Sequence, residues 1–210
     1  MLVNDFSDLS QAESHILHPG TRKLFRYWET IRAEKAAPNR NDLDLKQISA
    51  IVPNLMMLER DHMRLTYNWR VAGTATCKLL CQELTGTDAL AGWGKFEHDI
   101  MIKLLDKVVT SLQPCLIRFR LTTNTDDVIG AEMLGLPLHA RNGSRFHVFG
   151  GVFPFRDPST LNYDHITHRE LSGARTIWTE HLPGDQLVAQ LANSSRLKAG
   201  LRVIEGGRKA

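Results

Sequence analysis

Tyr67, Trp69 and Val71 recur at every second position, with polar residues between them, and the alternation stops at Gly73. A period of two places side chains on one face of a strand, and aromatic and β-branched residues suit such a half-buried surface. After Gly73 the pattern changes to that of a short helix. Thr74 or Thr76 can cap its first turn, Leu80, Cys81 and Leu84 form its apolar stripe, and Gly86 can take the left-handed conformation that ends it.

Upstream, residues 1 to 20 read as a flexible polar leader punctuated by His18-Pro19-Gly20. Thr21 then starts a helix whose Leu24, Phe25, Trp28 and Ile31 share one face, while Arg22, Arg26, Glu29 and Arg32 occupy the other. Such a face must dock on something. Pro38 to Asn41 is a loop, and Asp44 caps a second short helix with Leu45, Ile48 and Ile51 inward, stopped near Pro53. Leu55 to Arg60 and Leu65 to Ala72 form an antiparallel hairpin.

Thr87 to Gly94 is a glycine-rich short helical turn with two large apolar anchors. Lys95 to Leu112 is a long helix in which Phe96, Ile100, Leu104 and Val108 follow an i, i+4 series, supported by Met101, Leu105 and Leu112. Three strands follow Pro114: Cys115 to Thr123, Gly130 to Ala140 and Arg145 to Phe155. In the first, Cys115, Ile117, Phe119 and Leu121 make a dry face opposite a largely wet one. Asn142-Gly143 favours a tight hairpin turn between the other two. Beyond Asp157, Ile166 to Trp178 reads as a further short strand or edge segment, and Leu187, Val188, Leu191 and Leu197 give an amphipathic pattern before a frayed end.

Size and composition narrow the class. A chain of 210 residues with 42% hydrophobic and 23% charged residues suits one globular domain with appendages, not disorder or a fibrous repeat. A formal charge of +3 is too small to imply nucleic acid. Arg196, Lys198, Arg202, Arg208 and Lys209 concentrate near the end, as in a solvated tail or one that touches an acidic partner or anionic lipid. The start lacks the basic and apolar regions of a secretory signal, and no segment approaches the roughly 20 apolar residues of a membrane span. Cys77, Cys81 and Cys115 cannot all pair, so reduced thiols and a cytoplasmic setting are expected.

Reaction chemistry is hard to find. Cys77 and Cys81 stand four apart, with His98 as a conceivable third ligand, but two thiols without CxxC spacing read better as small buried residues. His147, His165 and His168 read as surface or hydrogen-bonded histidines, and Asp126-Asp127 as turn residues. Neither a nucleophile elbow nor a phosphate-cradling glycine loop is present. No catalytic residue, metal site or cofactor is therefore assigned, and hydrolase chemistry is the weakest alternative.

Several segments resemble, in order and spacing, the compact alphaproteobacterial PAS family of small, mostly stand-alone proteins. They are Thr21-Arg22-Lys23-Leu24-Phe25-Arg26-Tyr27-Trp28, Ile51-Val52-Pro53-Asn54-Leu55, Trp69-Arg70-Val71-Ala72-Gly73-Thr74 with Cys77 and Glu83-Leu84-Thr85-Gly86, and Leu136-Pro137-Leu138. The resemblance implies an α+β fold over residues 21 to 155, a five-stranded antiparallel sheet with helices packed on one face; residues 156 to 210 lie outside it as a C-terminal extension. It also implies signalling rather than catalysis, through a small molecule or a protein partner. No haem or flavin motif accompanies it.

Two expectations about sites follow. In the first, Trp69, Val71, Phe119, Leu134 and Phe149 point from neighbouring strands toward covering helices, with Leu80, Leu84 and Trp93 as the opposite wall of a mostly apolar pocket. The plain alternative is that these side chains fill a solid core. In the second, Leu24, Phe25, Trp28 and Ile31 mediate homodimerisation or partner docking, an aromatic face being favoured at interfaces. Docking of the same stripe onto its own sheet would bury it equally well.

Overall fold

The computed structural model describes residues 13–140 and 146–177. Helix α1 spans Pro19–Arg32 and is followed by a kinked 3-10 segment, Leu45–Asn54. Strands β1 (Leu55–Asp61) and β2 (Thr66–Ala72) form the expected hairpin. Helices α2 (Thr74–Leu80) and α3 (Lys95–Thr110) come next, then β3 (Cys115–Thr123), β4 (Val128–His139), β5 (Phe146–Pro154) and β6 (Ile166–Thr176). All neighbouring strands are antiparallel, in the order β2-β1-β5-β4-β3-β6.

The α+β architecture is the expected one, with two differences of detail. The sheet has six strands, because Ile166–Thr176 pairs along the outer edge of β3. Helices also cover both faces. Leu79, Met101, Leu105 and Val108 pack with Leu58, Tyr67, Trp69, Ile117, Phe119, Met133 and Val148 on one side. Leu24, Phe25, Trp28, Ile48 and Ile51 pack with Met57, Leu116, Leu134, Leu136, Phe149 and Phe153 on the other. Central strands buried on both faces read as continuous apolar runs, so β4 and β5 carry little alternation to betray which face is which.

The buried face of α3 is rotated from the expected one. Met101, Leu105 and Val108 are buried, whereas Phe96 stands 73% exposed in the first turn. Leu45 is likewise exposed, while Ile48 and Ile51 turn inward. Capping differs too. His18, not Thr21, caps α1, its Nδ1 accepting from the Gly20 N–H at 3.0 Å, whereas Asp44 caps the Leu45–Asn54 segment as expected by accepting from Lys46 N–H.

Gly73 marks the strand-to-helix junction for a steric reason. A Cβ there would lie 2.2 Å from the Pro53 carbonyl oxygen, while the Gly73 N–H donates to the Leu55 carbonyl at 2.8 Å. Helix α2 ends earlier than expected, at Leu80, with Cys81 in the left-handed region. Gly86, with φ +84°, then turns the chain so that residues 86 to 89 run beside β2: Gly86 N–H donates to Trp69 O, and Trp69 N–H to Thr87 O. The edge of β2 is thereby covered, which removes a ready template for strand pairing. The Asn142-Gly143 turn and the amphipathic stretch over 187 to 197 lie outside the described residues.

Candidate functional site

Five of the eight pocket candidates meet on the α3 side of the sheet. Trp69, Phe119 and Leu84 are buried there, and Leu80 and Trp93 pack against them. The Trp93 ring meets Phe119 edge-on, with centroids 5.4 Å apart and planes at 89°. Offset and edge-to-face contacts of this kind add to simple area burial.

Val71, Leu134 and Phe149 do not belong to this group. Leu134 and Phe149 lie on the opposite face, beneath α1. The reason is register: Leu134 is paired with Leu116 and Phe149 with Met57, and all four belong to the α1-side cluster. Val71 is 45% exposed, because an irregularity in the β1–β2 pairing between Met57 and Leu58 matches Val71 to Met57 but Trp69 to Leu58. Arg70 is the extra residue. A bulge of this kind breaks the period of two that had put Trp69 and Val71 together.

The four α1 candidates all face the sheet. Leu24, Phe25 and Trp28 are buried and Ile31 is packed against the same cluster. Trp28 Nε1–H donates to the Pro137 carbonyl at 3.0 Å, and Tyr27 Oη accepts from the Asp44 N–H at 2.7 Å. Arg32, also buried, pairs with Glu29 at 2.8 Å, donates to the Ala33 and Lys35 carbonyls, and lies over the Trp28 ring. The helix end is thus satisfied by a cation where its dipole favours one.

Polar and charged groups hold both layers in place. On the α3 side, buried Tyr67 donates to Asp106 Oδ1 at 2.9 Å, and Arg60 reaches the same carboxylate at 3.0 Å while lying over the Tyr67 ring. Burial, with the nearby Asp106 carboxylate, pushes the Tyr67 phenol well above its ordinary value, so it acts as a donor throughout the physiological range. On the α1 side, fully buried Glu132 accepts from the backbone N–H groups of Leu17 and His18 and pairs with Arg118. A glutamate inside the apolar run Ile129 to Leu138 is the sequence signal that marks it.

Thiol chemistry has little support from geometry. All three cysteines are free. Burial pushes the Cys115 thiol up to about 12 and raises that of Cys81. Among the described residues, no group of three or more His, Cys, Asp or Glu side chains is placed to hold a metal, and no helix is long and apolar enough to cross a membrane. His98 lies beside Asp99 on α3.

The PAS domain family matches residues 16–153, well over half of the chain. The chain belongs to the PAS domain family. No curated protein matches it. The match begins at Ile16, inside the docked segment that precedes α1, and ends in β5, so β6 is an addition to the matched region. PAS membership gives the chain a sensory, signalling or regulatory role in general terms. Trp69, Leu84, Trp93 and Phe119 converge on the α3 side of the matched region.

Proposed function

We propose that this PAS protein is a non-catalytic cytoplasmic regulator that reads a small molecule on the α3 side of its sheet and passes the result to a protein partner through the α1 layer. The observation that carries this reading is the division of labour between the two faces. Trp69, Leu80, Leu84, Trp93 and Phe119 gather on one side, whereas the apolar stripe of α1 is already occupied against the other. That occupation favours ligand reading over dimerisation through Leu24, Phe25, Trp28 and Ile31.

Coupling between the faces has a simple physical basis. Neighbouring residues of one strand serve opposite layers: Met56 and Met57, Leu116 and Ile117, Met133 and Leu134, Val148 and Phe149. A ligand that shifts a strand on the α3 side therefore shifts the floor on which α1 rests. It biases α1 only to the extent that it binds one packing better than the other. Free thiols at Cys77, Cys81 and Cys115 agree with a reducing compartment.

The experiment is a thermal-shift and native mass spectrometry screen of the full chain against haem, flavins, fatty acids and nucleotides, followed by hydrogen exchange on any hit. The expected result is a bound small molecule that alters exchange in both α3 and α1. Retention of nothing, with no thermal shift across the panel, would sink the ligand reading and leave a solid-core interaction module.

A further inference from the structure

Arg169 stands at the margin of the Trp93 and Phe119 cluster on the strand that the PAS match does not include. It is opposite Leu121 in the β3–β6 register, as Leu171 is opposite Phe119. Phe119, Leu121 and Leu171 all belong to the α3-side cluster, so Arg169 projects toward the same side. There its guanidinium donates through Nη1 to the Ala91 carbonyl and lies against Gly92. A Cβ on Gly92 would come within 3.1 Å of the guanidinium carbon, and the φ of +78° already favours glycine at this position.

This cation has no acidic partner among the described residues. Burial alone shifts its proton affinity, and it shifts it downward. Asp88, the acid of the adjoining loop, is engaged elsewhere, accepting from Thr66 Oγ1 at 2.6 Å and from the Leu90 N–H at 2.8 Å. The arginines of β1, β2 and β3 are paired: Arg60 with Asp106, Arg70 with Glu59, Arg118 with Glu132 and Arg120 with Glu170. A half-buried guanidinium with one carbonyl acceptor keeps further N–H donors for a planar anion, and it is more weakly hydrated than an ammonium.

We propose that Arg169, with the Ala91-Gly92-Trp93 loop, forms the recognition point for a small organic anion whose carboxylate or phosphate meets the guanidinium and whose apolar body lies on Trp93. Bidentate pairing would supply orientation, and the Trp93–Phe119 surface would supply apolar burial. The site would lie in a PAS protein yet depend on a residue contributed by β6. It rests on the ligand-reading function proposed above and narrows its chemistry.

The test is an NMR titration of the full chain, following the Trp93 indole N–H, assigned with Trp93→Phe. The probes are phenylacetate, inorganic phosphate, and 2-phenylethanol as the uncharged counterpart of the first. Phenylacetate should give a saturable shift. Phosphate should give a weaker one if the anionic group alone suffices, and 2-phenylethanol should bind at least about tenfold more weakly than phenylacetate. Arg169→Gln should weaken phenylacetate binding at least about tenfold, while Arg169→Lys retains part of it. Thermal melts of both variants verify folding, and the lysine variant serves as the probe if the glutamine variant does not fold. Equal binding of 2-phenylethanol, or phenylacetate binding unchanged in the variants, overturns the anion site but leaves ligand reading in place. Absence of any probe binding overturns the anion site; if the wider metabolite screen is also empty, ligand reading falls with it.

Discussion

Glu132 and Arg118 face one another across β4 and β3, with Arg118 Nε donating to Glu132 Oε2 at 2.9 Å, and the same carboxylate accepts the backbone N–H groups of Leu17 and His18. Arg118 also donates to the His15 carbonyl. One buried acid thus joins two strands to the segment that enters α1. Its two oxygens are shared among three donors, a number that a neutral side chain cannot match.

Replacing Glu132 by Gln should cost about 3 kcal/mol or more, because one partner of a buried charged pair is lost while Arg118 and two backbone donors remain. Urea unfolding checks the magnitude. Hydrogen exchange checks the location, since the amides of Leu17 and His18 and the first turn of α1 should lose protection ahead of β3. A loss of stability below 1 kcal/mol would mean that the carboxylate does not anchor the helix.

His18 should make the docking of α1 sensitive to acid. Its Nδ1 accepts from Gly20 N–H, and its ring stacks on Phe153 with centroids 5.3 Å apart. Burial lowers its proton affinity, more than the nearby Glu132 carboxylate and the contact with the Pro154 carbonyl raise it. A folded-state pKa below the unfolded value means that the unfolded chain binds the proton more readily. The stabilisation is therefore complete above the ordinary value of 6.5 and is lost as pH falls below it. His139 and His147 are lowered by burial too and act in the same direction. In His18→Asn, which retains a cap acceptor, the slope of stability against pH below 6.5 should become shallower. An unchanged slope in urea titrations across that range would assign the effect to the other two histidines.

The cysteines should separate sharply in reactivity. Cys115 is buried with its thiol pushed up to about 12, so alkylation needs either unfolding or local opening of β3. With iodoacetamide under native conditions, peptide mass spectrometry should find Cys77, which is only partly buried, modified well before Cys115. Equal rates would mean that the start of β3 opens readily in the folded protein.

Much of this fold was legible because α1 and β3 display clean periods. The apolar face of α1 and the strands β1, β2 and β3 follow from spacing alone, and Asp44 announces its cap. Sidedness was harder. Strands β4 and β5 are apolar on both faces, so nothing in their composition places Leu134 and Phe149 beneath α1. The bulge that turns Val71 outward is a matter of pairing register, which a single strand cannot reveal. The candidate site was legible only in part. Strand alternation and helix placement bring Trp69, Phe119, Leu84, Leu80 and Trp93 into one cluster, while Glu132 and Arg169 act through long-range partners that local spacing does not encode.

Gly73 should be irreplaceable even by alanine. The clash of a Cβ with the Pro53 carbonyl involves backbone on both sides, so relief requires the Leu45–Asn54 segment or the start of α2 to move. Gly73→Ala should therefore destabilise by roughly 1–3 kcal/mol, the usual range for overpacking. Thermal unfolding of the variant checks this, and a neutral result would show that the junction yields at little cost.

Leu24 offers the clearest separation between α1 as a structural layer and α1 as a dimerisation surface. It is fully buried between the helix and the sheet, in the cluster with Leu134, Leu136, Phe149 and Phe153. Leu24→Ala should cost about 2–5 kcal/mol through lost transfer energy and the cavity left behind. If the stripe serves only its own sheet, light scattering at fixed protein concentration should give the same mass for variant and parent while the urea midpoint falls. A variant that changes mass but retains the parental midpoint would place Leu24 at an interface between chains. The measurement must be made below the onset of unfolding, because an exposed apolar sheet face would associate for reasons unrelated to native assembly.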